Sequence, residues 1–153
     1  MQVDLERYDE LIQGIYDAAL RPERWTGVVH QAASLLESPR SMLFTYAHSS
    51  AQGGFTFVRN MPQSLLETYA RKMRDDPFVS AAARNGLMKA GQSVVGRDLV
   101  PPEKLHKTDF YRDVWMPHGI EHMCGGVIFD SEDNHTLPTA LSFMRDSSDE
   151  PFN

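Results

Sequence analysis

The sequence predicts one α+β domain over residues 1–153, in which a helical pair (1–38) precedes an antiparallel sheet of about five strands with helices inserted between them. Three observations carry this expectation. An apolar stripe of helical period runs along residues 5–20. After residue 40 the texture changes to short aromatic and β-forming runs. Prolines and turn residues then divide the remainder into short helices and strands.

Leu5, Tyr8, Leu11, Ile12, Ile15, Tyr16, Ala19 and Leu20 recur at three- and four-residue spacing, which puts them on one side of a helix. Asp4 is its expected N-cap, and Pro22 ends it. A second helix over 23–37 carries Trp25, Val28, Val29, Ala32, Leu35 and Leu36, and Ser38-Pro39 closes it. Strands at 41–48 and 55–58, joined across a turn at 49–54, read as a hairpin. Pro62 starts a third helix with Leu65, Leu66, Tyr69 and Met73 on one face. Asp76-Pro77 breaks it and caps a fourth that ends near Gly86. A short strand at 92–95 and a helical turn at Pro101-Pro102 follow. Thr108 is the expected N-cap of a helix over 109–116, stopped by Pro117. Two strands, 119–129 and 137–145, flank a polar loop at 130–135.

Composition excludes several function classes. The net charge is −6, with 15 basic residues scattered among 21 acidic ones, so direct binding to nucleic acid is not expected. No apolar run approaches the ~20 residues of a membrane span. The acidic N-terminus lacks the order of a secretion signal, and the single Cys124 cannot form an internal disulfide. A cytoplasmic setting is expected.

Several phrases are similar to one family. Leu11 to Ser38 (LIQGIYDAALRPERWTGVVHQAASLLES) resembles the opening of N-terminal domains in bacterial LuxR-type helix-turn-helix regulators. Tyr69–Phe78, Leu99–Gly126, Leu141–Asp146 and the closing Glu150–Phe152 match in the same order, and the Phe-Tyr-Arg…Pro-His-Gly phrase is the most specific. Arg21 departs from the pattern, standing where an acidic residue commonly precedes the proline. The resemblance implies a PAS/GAF-like sensor domain for a small-molecule effector, homodimeric, with DNA read by a C-terminal domain that this chain lacks. It is to a general sensor branch; the pocket pattern of the acyl-homoserine-lactone receptors is not visible.

Candidate residues follow from this frame. Tyr46, Tyr69, Phe110, Tyr111, Trp115, His118 and His122 are the expected ligand contacts, with Phe44, Phe57, Phe78, Met73 and Met123 as further apolar lining. A filled core needs the same residue types. Leu5, Tyr8, Leu11, Ile12 and Ile15 are the expected dimer contacts. On a strand, Ile120, His122 and Cys124 share one face, with Glu121 and Met123 on the other. The cluster admits three readings: satisfied core residues, a metal site of non-standard spacing, or haem ligation by His118 or His122. No metal or cofactor is expected. Neither a nucleophile elbow nor a phosphate or dinucleotide loop is present, so no enzyme is expected. Asp75-Asp76 reads as a helix cap. A ligand-free dimerisation scaffold is the alternative function.

Overall fold

The computed structural model describes residues 4–46, 54–130 and 137–153. Helix α1 (Leu5–Leu20) starts where expected, because the Asp4 carboxylate accepts hydrogen bonds from the Glu6 and Arg7 amides. Asp17 pairs with both Arg21 and Arg24 and pins the turn that follows. The expected second helix is shorter than 23–37. A 3₁₀ turn (Pro22–Arg24) leads into α2 (Trp25–Leu35), and Glu37 turns the chain away at φ 49°. Ser38, buried at that corner, donates to the carbonyls of Arg40 and Met144 and fixes where the sheet begins.

The strands are β1 (Arg40–Thr45), β2 (Thr56–Arg59), β3 (Ser93–Val95), β4 (Ile120–Phe129) and β5 (Thr139–Asp146). They form one sheet in the order β2–β1–β5–β4–β3, with every neighbouring pair antiparallel. The expected hairpin of the first two strands is therefore present. Its turn (47–53), the end of the expected 41–48 strand, and the loop at 131–136 lie outside the described residues.

Side chains alternate across the sheet, so each face acquires its own core. On one face Met42, Phe44, Ala140 and Met144 pack with Leu65, Phe78, Leu105, Phe110, Val114 and Trp115. This face is covered by α3 (Gln63–Lys72), α4 (Pro77–Arg84), α5 (Gly96–Leu99) and α6 (Pro102–Leu105). On the opposite face Phe143 packs with Ala32 and Ala33 of α2, with Leu11 of α1, and with Phe152 near the chain end. The Arg145 guanidinium lies 4.2 Å from the Phe152 ring centroid and donates to the carbonyls of Leu36 and Glu150.

Three local expectations are corrected. Met73 belongs to a 3₁₀ turn (Met73–Asp75), not to the end of α3, and the four-residue α5 is too short to show a period in sequence. The helix expected over 109–116 is irregular. Thr108 does cap it, accepting from the Tyr111 amide, but Tyr111–Trp115 form a π turn and Met116–His118 a 3₁₀ turn. Pro117 has no N–H to continue an α ladder, and Gly119 leaves the turn at φ 69°. Finally, Ile120 does not share a face with His122 and Cys124. The register shifts between Ile120 and His122, and this bulge turns Ile120 into the first core while Cys124 packs in the second.

Phe152→Ala is expected to lower the unfolding free energy by about 3 kcal/mol, because it empties a buried aromatic site and removes the ring beneath Arg145. Urea denaturation measures this; wild-type stability in the variant would show that the terminal segment is not part of the core.

Candidate ligand-binding site

Asp76 is placed by the break between two helices. The 3₁₀ turn after α3 delivers it, and Pro77 fixes the first turn of α4. Its two carboxylate oxygens do different work. Oδ1 accepts the Phe78 and Val79 amides at 2.8 and 3.3 Å, which is an N-cap. Oδ2 is 3.2 Å from the Tyr69 hydroxyl, which donates to it. A phenol has one proton and a carboxylate is a strong acceptor, so that proton is given to Asp76. Tyr46 lies close by, packed on the same Phe44 ring as Tyr69.

The Tyr69–Asp76 pair lies in an aromatic and sulfur-rich interior. Phe44 packs edge-on against both Tyr46 and Tyr69, with centroids 4.7 and 6.0 Å apart. Phe110 meets Tyr69 and Trp115, and Trp115 stacks on Phe78 at 4.9 Å. A void of ≈ 30 Å³ touches Asp76, Tyr69, Phe78 and Trp115, and another of ≈ 50 Å³ touches Tyr46, Phe78 and Met123. Each has room for a few waters; a void that admits benzene is on the order of 150 Å³. Beside them a groove of ≈ 410 Å³ runs between α3 and the β1–β2 edge, sharing Met42 and Tyr69 with the first void. Met42, Met61, Met73, Met88, Met123 and Met144 line these three spaces, six of the eight methionines in the sequence. Methionine is unbranched and polarisable, so a wall built from it can reshape around a guest.

Burial raises the Asp76 carboxyl from its ordinary range to about 6, with the two amides and the Tyr69 hydroxyl opposing that rise. Both tyrosine hydroxyls are pushed well above their ordinary range by burial and by the Asp76 charge, so they remain neutral donors.

The expected ligand contacts separate in space. Tyr46, Tyr69 and Trp115 line the voids around Asp76. Phe110 is fully buried behind them, in contact with Tyr69 and Trp115. Tyr111 points elsewhere: its hydroxyl donates to Glu121 Oε2 at 2.7 Å, while His106 Nε2 is 2.6 Å from Glu121 Oε1. Burial and Glu121 push the Tyr111 hydroxyl up to about 12. His118 ends the 3₁₀ turn half-buried, its carbonyl accepting from Arg40. His122 lines a separate small cleft with Glu121, Arg97 and Phe152. Of the further apolar residues, Phe57 pairs with Leu43 in register and sits beside Phe55, away from the voids. Among the described residues, no three His, Cys, Asp or Glu side chains come together to hold a metal ion. Burial pushes the Cys124 thiol up to about 11, which keeps it protonated and poorly nucleophilic.

Asp76 itself was legible only as a cap. An Asp-Pro pair at a helix start is explained by capping alone. The aromatic residues at 69 and 78 on either side were the available signal that this cap faces an interior.

The expected dimer contacts also divide. Leu11 packs inward on the second core, and Ile12 and Ile15 are half-buried. Leu5 (73% exposed) and Tyr8 face solvent, together with Tyr16 (74%) and Leu20 (83%).

No family model matches the sequence, and no curated protein is similar to it in sequence. Solved structures do share its fold. The chain has the LuxR autoinducer-binding domain fold. It is similar to the N-acylhomoserine lactone-dependent LuxR family transcription factor CepR2 from Burkholderia cenocepacia, with a TM-score of 0.66 and 17% identity over 98% of this chain and 83% of that one. It is also similar to Escherichia coli SdiA (TM-score 0.54, 15% identity, 84% of this chain and 52% of that chain). For SdiA in complex with octanoyl-rac-glycerol the TM-score is 0.62 at 14% identity, covering 100% of this chain and 59% of that one. The chain thus spans between half and three-fifths of the SdiA chains. The fold includes a lactone-dependent factor, whose branch the sequence phrases do not resemble; at these identities it is the fold that is shared.

The Asp76 environment predicts a pH dependence. Folded, the carboxyl holds its proton up to about pH 6, whereas unfolded it ionises near 4. The folded state therefore binds the extra proton, and this group costs stability as pH rises through that window, by about 3 kcal/mol in full. Asp76→Asn keeps a capping oxygen and lacks the titration. Its stability relative to wild type is expected to rise by that amount between pH 4 and 7 in paired chemical denaturation; a pH-independent difference would refute the assignment.

Proposed function

We propose that this chain is the signal-sensing module of a transcription regulator, binding a small-molecule effector between its sheet and the α3–α4 pair. The observation that carries this reading is the Tyr69–Asp76 pair, buried beside voids and a groove with methionine walls. A core that served packing alone gains little from a buried carboxylate, which must be desolvated. The fold neighbours support it: one is N-acylhomoserine lactone dependent, and another holds octanoyl-rac-glycerol, each ligand joining a polar head to an acyl chain.

In this reading β4 carries the signal across the sheet. Met123 faces the voids, while Cys124, one residue on, packs in the opposite core with Phe143 and Phe152. Displacing Met123 biases the packing of α1, α2 and the terminal segment, provided the effector prefers one of two arrangements. DNA is read by a separate helix-turn-helix domain, since a net charge of −6 opposes direct contact here. No described helix is long and apolar enough to cross a membrane.

Native mass spectrometry of the protein purified from its own host is expected to show a small-molecule adduct, absent from the Asp76→Asn/Tyr69→Phe double variant. A bare-chain mass, with no thermal shift across a panel of small amphiphiles, would favour a ligand-free scaffold.

Pairing of two copies has its own observation. Leu5, Tyr8, Ile12, Tyr16 and Leu20 form one outward stripe on α1, opposite the side on which Leu11 and Ala18 are packed. The helix is about 24 Å long, enough for a two-fold helix contact. Wild-type protein is expected to sediment as a dimer at micromolar concentration and Leu5→Glu/Tyr16→Glu protein as a monomer. A monomeric wild type would end the pairing proposal.

A further inference from the structure

We infer that the effector site is built for an amine: a cationic head held at Asp76 inside an aromatic enclosure, with an apolar body lying in the adjoining groove. This inference rests on the small-molecule reading above and specifies the charge class of the ligand. Its first support is an electrostatic imbalance. Asp76 is buried, and its described partners are two backbone amides and a phenol, all neutral. Among the described residues lining the two voids and the groove there is no Lys, Arg or His. Of the cations on this stretch, Lys72 pairs with Asp113, Arg71 donates to Thr68, and Arg74 is exposed to solvent. The other carboxylate in the set, Glu67, lies along the groove and adds charge of the same sign. A buried carboxylate without a cation is stabilised by a guest that brings one, and it repels an anionic guest strongly at low local dielectric.

The second support is the shape and chemistry of the walls. Tyr69, Phe78 and Trp115 border the same void as Asp76, and Tyr46 and Phe44 extend the aromatic wall toward the groove. Aromatic faces attract ammonium groups, most strongly where water is excluded, and an aromatic enclosure closed by one carboxylate is the chemistry that recognises amines. Size fits the same division. A void of ≈ 30 Å³ suits a head of one to a few heavy atoms, and the ≈ 410 Å³ groove that shares Met42 and Tyr69 with it suits an alkyl or aryl body.

The test is a charge series on one body, titrated into the intact chain at pH 7.5 by calorimetry: phenethylamine, 2-phenylethanol and phenylacetate. Phenethylamine is expected to bind at least tenfold more tightly than the alcohol, and phenylacetate is expected not to bind. Asp76→Asn should abolish the preference for amine over alcohol, so that the two bind with affinities within about threefold of each other. Tyr69→Phe retains the carboxylate and should retain the preference, which keeps the test decisive if the Asp76 variant does not fold. If the alcohol or the acid binds as well as the amine, the amine inference is overturned and the small-molecule reading stands. If none of the three binds and native mass spectrometry shows a bare chain, both fall.

Discussion

The need to bury both faces of one antiparallel sheet shapes the whole molecule. Five strands with alternating side chains present two apolar surfaces, and neither can be left to water. One is met by α2, with α1 laid over it, and by Phe152 reaching back from the end of the chain. The other is met by short helices and turns between β2 and β4. Long helices could not be fitted there, because Pro62, Pro77, Pro102 and Pro117 interrupt the chain. A covering made of short pieces leaves gaps where the pieces meet. The voids and the groove lie at those junctions.

Asp76 shows how such a junction becomes chemistry. Capping α4 requires one acceptor, and a carboxylate supplies two oxygens. The spare oxygen is turned inward because α4 is packed against the sheet on the side where Phe78 is buried. Tyr69 then donates to it across the break between α3 and α4. Two helices are thus tied to one buried charge. At Gly96 the packing is equally close: a Cβ there would stand 2.6 Å from Met123 and 2.9 Å from Phe78, so only glycine lets α5 approach the wall of the void.

The two layers of helices do different jobs, and α1 is the exception within its own layer. Its inner side is closed by α2. Its outer side keeps Leu5, Tyr16 and Leu20 in solvent. A single broad apolar stripe in sequence proves to be two stripes in space, one spent on folding and one left over.

Much of the fold was legible because it rests on local rules. The 3.6-residue stripe, the Asp4 and Thr108 caps, the prolines and the strand textures each constrain the chain within a few residues, and the α+β order follows from them. The candidate site was legible only in part. Tyr46, Tyr69 and Trp115 announce themselves as amphipathic aromatics, but Tyr111 has the same character and turns to Glu121. The bulge after Ile120 depends on pairing with β5, more than twenty residues away, and reversed an inference from simple alternation. By itself, the sequence determined the class of fold, the order of its elements and a charge unsuited to DNA. The tertiary structure alone decided that Asp76 faces an interior, that Tyr69 joins it, and which side of α1 is left exposed, because contacts between distant segments set the direction of a side chain once local geometry has placed its backbone.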